Sequence, residues 1–140
     1  MNRFFNALRP YAQNAFRIVI GFLFMTHGTA KLFGWFGGHV MPFDSRFGIA
    51  GILETFGGTL IALGLFTRPV AFVVSGEMAV AFFWMHAAQA GSIWPWINRG
   101  ELPALYCFSH LLIAAMGPGA FSIDAWWKRR RERRVEQVRA

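Results

Sequence analysis

The sequence predicts an all-α integral membrane protein, a four-helix bundle with both termini in the cytoplasm. Hydrophobic residues make up 55% of its 140 residues and charged residues only 15%, against ~25% charged in an ordinary soluble domain. An aromatic content of 17% excludes a disordered chain. Four long apolar segments follow one another without the period of two that strands show. Because lipid forbids open sheet edges, these segments are predicted to be helices.

The four predicted spans cover about residues 14–33, 47–66, 69–90 and 102–121. Each is close to the ~20 residues that a helix needs to cross the hydrocarbon core. Polar residues interrupt all four, as is typical of helices that face the interior of a bundle. Small residues of the second span, including Gly51, Gly57 and Gly58, predict close helix packing. Residues 1–127 are therefore predicted to form the transmembrane domain, and residues 128–140 a basic tail.

The segments between the spans contain residues that break helices or suit turns. Residues 34–46 are rich in Gly and also contain Pro and Asp, and residues 67–69 form a very short turn that predicts a tight antiparallel hairpin. The loop 91–101 carries Trp94 and Trp96, which suit a membrane interface. Gly117-Pro118-Gly119 is predicted to break or end the fourth helix. The tail beyond residue 127 is compatible with a helix extension or with disorder.

The positive charge is concentrated at the C-terminus. The net charge is +7, and seven of the 14 Lys and Arg residues lie in the last thirteen positions: Lys128, Arg129, Arg130, Arg131, Arg133, Arg134 and Arg139. A basic cluster beside apolar sequence indicates a membrane-flanking segment, so the expected partner is the lipid bilayer and not nucleic acid. The excess of Lys and Arg on the side of the termini predicts that both are cytoplasmic.

A cleaved signal peptide is the competing interpretation of the first span. Arg3 and Arg9 would form its basic region, and Gly28-Thr29-Ala30 loosely resembles a cleavage site. Lys31 directly after that site, together with three further spans, favours a retained helix instead.

Ionisable residues inside the spans point to a site. A charged residue at the centre of a span costs roughly 2.5–3.5 kcal/mol on insertion scales. At a rise of ~1.5 Å per residue, His27, Glu54 and His110 lie roughly 10 Å from the outer face, and Lys31 lies nearer to it. The sequence therefore predicts a pocket in the outer half of the bundle. Its predicted substrate-binding residues are His27, Lys31, Glu54 and His110, and its secondary candidates are Glu77, His86 and Cys107.

Structural roles compete with this interpretation. Lys31 and Glu54 could form a pair that only neutralises two charges in the bundle, and the histidines could hydrogen-bond to backbone carbonyls. Arg17 is expected to be a snorkelling anchor at the inner face. Glu77 and His86 are nine residues apart, which turns about half a circle in an α-helix, so they are expected on opposite faces.

No metal site is predicted, because no His, Cys, Asp or Glu residues have the spacing of a metal motif such as HExxH or CxxC. A haem between His27, His86 and His110 is geometrically conceivable. Because any four-helix protein with several histidines offers that arrangement, the sequence does not favour haem. The single Cys107 excludes an internal disulfide.

Four stretches carry a resemblance to a known family. They are RIVIGFLFMTHGTAKLFGWFGG at 17–38, GILETFGGTLIALGLFTRPVA at 51–71, NRGELPALYC at 98–107 and GPGAFSIDA at 117–125. In order and spacing they resemble the DoxX family of small bacterial membrane proteins. The resemblance implies a four-helix, multi-pass protein of the bacterial cytoplasmic (inner) membrane. It also implies a redox association, since a thiosulfate:quinone oxidoreductase carries related subunits and a family member is linked to a membrane oxidoreductase complex in oxidative-stress defence.

Three functions are compatible with these observations. The first is a redox-linked subunit that binds a quinone or thiol-type molecule in the outer-half pocket and receives electrons from a soluble or membrane redox partner. The second is a non-catalytic scaffold whose basic tail recruits a partner or anionic lipids. The third is a small transporter or proton conduit lined by Glu54, Glu77 and the histidines. The cofactor, with quinone as a candidate, the assignment as an enzyme and a homo-oligomeric state all stay open at this stage.

Overall fold

The computed structural model describes residues 2–139 and contains only helices, turns and loops within that range. Its five main helices are α1 Asn2–Phe33, α2 Arg46–Leu63, α3 Thr67–Ala90, α4 Glu101–Met116 and α5 Ile123–Arg139. Short helical turns at Trp35–Gly37 and Pro95–Asn98 lie in the two longer connections. The prediction of an all-α protein is confirmed.

Three helices, α1, α2 and α3, are long and apolar enough to cross a membrane. The fourth predicted span differs, because α4 has 16 residues and ends at Met116 instead of near residue 121. Gly117 then adopts a positive φ of 86° and Pro118 follows it, so the helix cannot continue. At ~1.5 Å per residue α4 is about 24 Å long, shorter than a ~30 Å hydrocarbon core. The four-span count and the location of the termini stay predictions.

Helices α1 and α2 pack through glycines that face each other. A Cβ atom placed at Gly21 would lie 2.6 Å from the Ala62 backbone nitrogen, and one at Gly58 would lie 2.5 Å from that of Met25. Such contacts leave no room for a side chain, so the two backbones touch directly. Gly51, two turns before Gly58 in α2, lies against the Leu32 side chain, whose Cδ2 atom would be 3.0 Å from a Cβ atom placed there. The predicted close approach at the glycines of the second span is confirmed.

Helices α3 and α4 form the second antiparallel pair. The Ser75 hydroxyl donates to the Cys107 carbonyl over 2.8 Å, and the Arg68 guanidinium donates to the carbonyls of Ala114 and Ala115 over 3.0 Å each. Arg68 therefore satisfies carbonyls that the end of α4 leaves free. An apolar core joins the two pairs, with members from all four helices: Phe24, Ile61, Ala71, Val74, Met78, Tyr106 and Ile113.

Polar contacts hold the helix pairs together at one end of the bundle, called here the short-turn end (residues 64–66 and 117–122). Arg17 is only 1% exposed, and its guanidinium donates to the carbonyls of Ile61, Ala62 and Phe121 over 2.6, 2.6 and 2.7 Å. The prediction that Arg17 snorkels to the inner face is wrong. Its charge is buried because the C-terminal carbonyls of α2 need donors that α2 cannot supply.

Asp124, at the start of α5, holds the beginning of α3 at the same end. Its carboxylate accepts hydrogen bonds from the backbone nitrogens of Phe66 and Thr67 and from the Thr67 hydroxyl, each over 2.9 Å. Free amide groups at a helix start attract a carboxylate in this way. The helix α5 then runs through the predicted boundary at residues 127 and 128, and the Arg130 guanidinium lies 4.2 Å from the Trp126 ring centroid. The division into a domain and a tail stays a prediction.

Candidate functional site

A cavity of about 400 Å³ lies between the helix pairs toward the opposite end, called here the long-loop end (residues 34–45 and 91–100). All four helices α1 to α4 contribute to its wall. Most of the lining is apolar, and Phe24, Met78, Trp84 and Tyr106 are among its residues. Its ionisable lining residues are His27, Lys31, Arg46, Glu54, Glu77 and His86. An apolar cavity with a few convergent polar groups is the usual form of a small-molecule site.

The ion pair between the Lys31 ammonium and Glu54 Oε1 joins α1 to α2 in the cavity wall. Glu54 is 3% exposed and Lys31 is 29% exposed. The Lys31 ammonium neutralises the buried Glu54 carboxylate, which would otherwise be a costly unpaired charge away from water. The second oxygen, Glu54 Oε2, has no hydrogen-bond partner among the described residues.

Glu77 lies on α3 and lines the same cavity. Both of its carboxylate oxygens are buried and have no hydrogen-bond partner among residues 2–139. Among the described residues, no Lys, Arg or His side chain forms a salt bridge with Glu77; the salt bridge found there is Lys31–Glu54. Glu77 is therefore a second acid in the cavity wall, with its hydrogen-bonding capacity unused.

The expected separation of Glu77 and His86 is wrong, since both line this cavity. The cause lies between them, where α3 takes π-helical geometry over Ala81–Ala87. Hydrogen bonds in a π-helix run from i to i+5, so each residue advances less around the axis than in an α-helix. The α-helical phase used for the sequence prediction therefore does not apply. The His86 ring is held by a 3.1 Å hydrogen bond between Nδ1 and the Asn98 carbonyl.

The other predicted histidines differ in their access to the cavity. His27 lines it, is exposed, and meets the Tyr106 ring edge-on at a centroid distance of 5.6 Å. His110 is 0% exposed and does not belong to the lining. It lies behind the wall, 4.5 Å from the Phe24 ring centroid, with Nδ1 2.8 Å from the Tyr106 carbonyl. The direct ligand contact predicted for His110 stays a prediction that this placement does not support.

Cys107 also lies outside the cavity lining. Its side chain is half-buried, and its sulfur is 3.6 Å from the Ser75 hydroxyl, at the contact between α3 and α4. Of the seven candidate residues, the structure thus brings five to one cavity: His27, Lys31, Glu54, Glu77 and His86.

Apolar side chains surround the opening of the cavity. Ile49 and Leu53 on α2, and Val80 and Trp84 on α3, line the cavity and are also exposed on the helix surface. The opening therefore lies between α2 and α3, on a surface of the kind that faces lipid. This apolar opening leads to the ionisable residues of the lining.

Sequence reasoning missed several lining residues. Tyr106 and Trp84 are aromatic residues in apolar helices, where a packing or lipid-facing role is the ordinary expectation. The sequence places Arg46 in the connection 34–46, but Arg46 begins α2 in the structure, and its guanidinium lies 3.7 Å from the Met85 sulfur. One sequence signal could have placed Tyr106 on an inward face. Pro103, Tyr106, His110 and Ile113 follow a helical period, and the structure buries all four.

Together the helices and the cavity define a class, that of α-helical integral membrane proteins with a largely apolar cavity between their helices. Within residues 2–139, no group of three or more His, Cys, Asp or Glu side chains is arranged to hold a metal ion. A family model described as DoxX matches residues 12–87. The chain belongs to the DoxX family, and the resemblance found in the sequence is confirmed.

Three relatives support this assignment. A Haemophilus influenzae protein described as "Uncharacterized protein" is 40% identical over 83% of this chain and 90% of its own length. The Escherichia coli inner membrane protein YqjF is 31% identical over 77% of this chain and 85% of its own length. The Escherichia coli inner membrane protein YphA is 30% identical over 86% and 93%. No solved structure matches the chain.

The cellular location follows from two findings: two relatives are inner membrane proteins, and three helices are long and apolar enough to cross a membrane. It is a multi-pass protein of the bacterial inner membrane, as the sequence predicted.

Proposed function

We propose that the protein binds a membrane-dissolved quinone-type or thiol-type molecule in the cavity, as a redox-linked subunit of a membrane oxidoreductase system. One observation carries the proposal: a cavity of about 400 Å³ opens through apolar side chains and has the Lys31–Glu54 pair in its wall. Its volume suits a single substituted aromatic ring. The apolar opening suits a ligand that arrives from the bilayer, with its tail left between α2 and α3.

The ionisable groups suit the proton chemistry of a quinone. A quinone takes up protons as it takes up electrons, so its site needs groups that donate and accept protons in a water-poor environment. His27, Lys31, Glu54 and Glu77 supply such groups within one cavity. A redox partner, either soluble or in the membrane, would supply the electrons.

Trp84 offers a direct test, because it lines the cavity. A short-tailed benzoquinone is titrated into the purified protein in lipid nanodiscs while tryptophan fluorescence is recorded. We expect saturable quenching that a Trp84→Phe variant lacks, on top of the unsaturable quenching by quinone in the lipid. Identical titrations of the two proteins would contradict binding in this cavity.

A pair of matched variants assigns the polar contact. Glu54→Gln removes the charge of the buried carboxylate, whereas Glu101→Gln changes an exposed glutamate outside the lining. Glu54 holds the Lys31 ammonium in the wall, and that ammonium is a charged donor for a quinone carbonyl. Because Glu54→Gln weakens this hold on Lys31, we expect it to weaken the saturable quenching about tenfold. Glu101→Gln should leave it unchanged. Equal effects of the two variants would exclude the Lys31–Glu54 pair from the site.

A second candidate function is recruitment of a partner protein by the basic tail. It is favoured by α5, a 17-residue helix that carries the seven basic residues of the C-terminus. A chain truncated after Trp127 keeps Asp124 and its contacts with α3. If the tail recruits a partner, this truncation abolishes co-purification from membranes and leaves quinone binding intact. Unchanged co-purification would exclude the tail as the docking segment.

A further inference from the structure

The cavity wall contains acceptors that lack donors. Glu54 Oε2, Glu77 Oε1 and Glu77 Oε2 are buried and have no hydrogen-bond partner among the described residues. Glu54 is 3% exposed, so bulk water does not satisfy it. A buried acceptor without a donor destabilises the protein by the lost solvation of that atom. Both residues line the cavity, so its space is where a donor for them can be placed.

The need for donors does not depend on how these acids are protonated. Glu54 is paired with Lys31 through Oε1, so Oε2 is an acceptor. A neutral Glu77 carboxyl group has one hydroxyl donor and still has one carbonyl acceptor, and an ionised one has two acceptors. At least one oxygen in the wall therefore needs a donor in either state, even where a Glu77 hydroxyl donates to Glu54 Oε2.

The charged and histidine donors of the cavity wall already have partners or are exposed to solvent. The Lys31 ammonium already pairs with Glu54, and the Arg46 guanidinium is on an exposed residue that solvent can reach. The His86 ring is held at the Asn98 carbonyl. The His27 ring, the Trp84 indole and the Tyr106 hydroxyl also belong to lining residues, but none of them donates to the free oxygens of Glu54 and Glu77. These buried oxygens therefore lack donors, and a ligand that brings only acceptors leaves this need unmet.

We propose that the cavity selects a ligand whose polar groups donate hydrogen bonds to Glu54 and Glu77, which makes the hydroquinone the preferred state over the quinone. A hydroquinone has two hydroxyl donors, whereas the carbonyls of a quinone only accept. This inference rests on the proposed function and adds the redox state that the site holds. The ring contacts Phe24, Met78 and Tyr106, and the tail leaves between α2 and α3.

The experiment compares three short-tailed compounds that share one ring: a hydroquinone, its dimethyl ether and the corresponding benzoquinone. Binding to the wild-type protein in detergent is measured by isothermal titration calorimetry under anaerobic conditions. The ether keeps the shape and the acceptors of the hydroquinone but has no donor. We expect the hydroquinone to bind about tenfold more tightly than either of the others, because only it satisfies the buried oxygens.

Variants connect this preference to the carboxylates. Glu77→Gln is nearly isosteric and brings an amide donor of its own into the wall, so it should reduce the preference to within about twofold. Glu101→Gln, outside the cavity, should retain the full preference. Retention of the full preference in Glu77→Gln would overturn the assignment of Glu77 as an acceptor for the ligand.

The outcomes separate this inference from the proposed function. If the benzoquinone binds as tightly as the hydroquinone, the inference is wrong and the proposed quinone site stands. Equal binding of hydroquinone and ether also overturns the inference, since the oxygens are then satisfied by water or by a shared proton. If none of the three compounds binds, the proposed quinone site fails, and the inference fails with it.

Discussion

Lys31 and Glu54 form a pair whose two members depend on each other. Glu54 is buried, and Lys31 supplies the cation that compensates the loss of water around its carboxylate. The Lys31→Met variant should therefore lower the free energy of unfolding by about 2 kcal/mol, less than for a fully buried pair because Lys31 is partly exposed. Denaturant unfolding in detergent micelles measures this loss.

The double variant Lys31→Met/Glu54→Leu is the control for this prediction. It removes the buried charge together with its partner, so it should regain most of the stability lost in Lys31→Met. Additive losses from the two changes would show that the two residues are not coupled. A double variant that is stable but has lost quinone binding would separate the role in binding from the role in folding.

Arg17 is a second buried charge, with a purely structural set of contacts. Its three hydrogen bonds go to the carbonyls of Ile61, Ala62 and Phe121. A lysine keeps the charge but not the planar arrangement of donors, so Arg17→Lys should cost about 2–3 kcal/mol of unfolding free energy. The exposed Arg9 gives a matched control, and Arg9→Lys should change stability by less than about 0.5 kcal/mol. Equal stability of the two variants would contradict this role.

At the scale of the elements, the contact between α1 and α2 depends on glycine. Gly58→Ala places a methyl group 2.5 Å from the Met25 backbone nitrogen, so α1 and α2 must move apart. We expect a loss of about 2 kcal/mol in the free energy of unfolding, measured in detergent micelles.

Gly76 provides the matched control for this element. It also lies in a helix, α3, but a Cβ atom there meets nothing within 4 Å. Gly76→Ala should therefore leave stability unchanged or raise it by up to about 1 kcal/mol, through helix propensity alone. If the two alanine variants are equally stable, the close packing of α1 on α2 does not limit stability.

The π-helical segment Ala81–Ala87 changes the direction of side chains at the site. It contributes Trp84, Met85 and His86 to the cavity and brings His86 to the same side as Glu77. Such segments in α-helices occur frequently at functional sites. The sequence AFFWMHA has no Pro or Gly that would mark the change in geometry, so the sequence prediction of two opposite faces was wrong.

At the scale of the whole molecule, the orientation in the membrane is a prediction of the charge distribution. Lys and Arg are retained on the cytoplasmic side, so the tail should be inside and the loop 91–100 outside. In a Cys107→Ser background, Ser92→Cys should react with a membrane-impermeant maleimide in spheroplasts. Arg133→Cys should react only after the membrane is permeabilised. Labelling of Arg133→Cys in intact spheroplasts would contradict the orientation.

The sequence by itself determined the class of the protein. Composition and the apolar segments were sufficient for an all-α membrane fold, because the bilayer leaves few alternatives for a chain of this kind. The order of its motifs was sufficient for the family, which the match over residues 12–87 confirms. Depth along the helices also predicted that His27, Lys31 and Glu54 lie together, since a regular rise converts sequence position into height.

Only the tertiary structure decided which side chains meet. Lys31 pairs with Glu54 because glycines bring α1 and α2 into contact, and His86 reaches the cavity because α3 becomes π-helical. His110 lies behind Phe24 and Tyr106 and outside the cavity lining, and Arg17 is buried where a surface anchor was expected. Height along a helix follows from counting residues. The direction of a side chain depends instead on helix phase and on the packing of neighbouring helices, which one sequence does not specify.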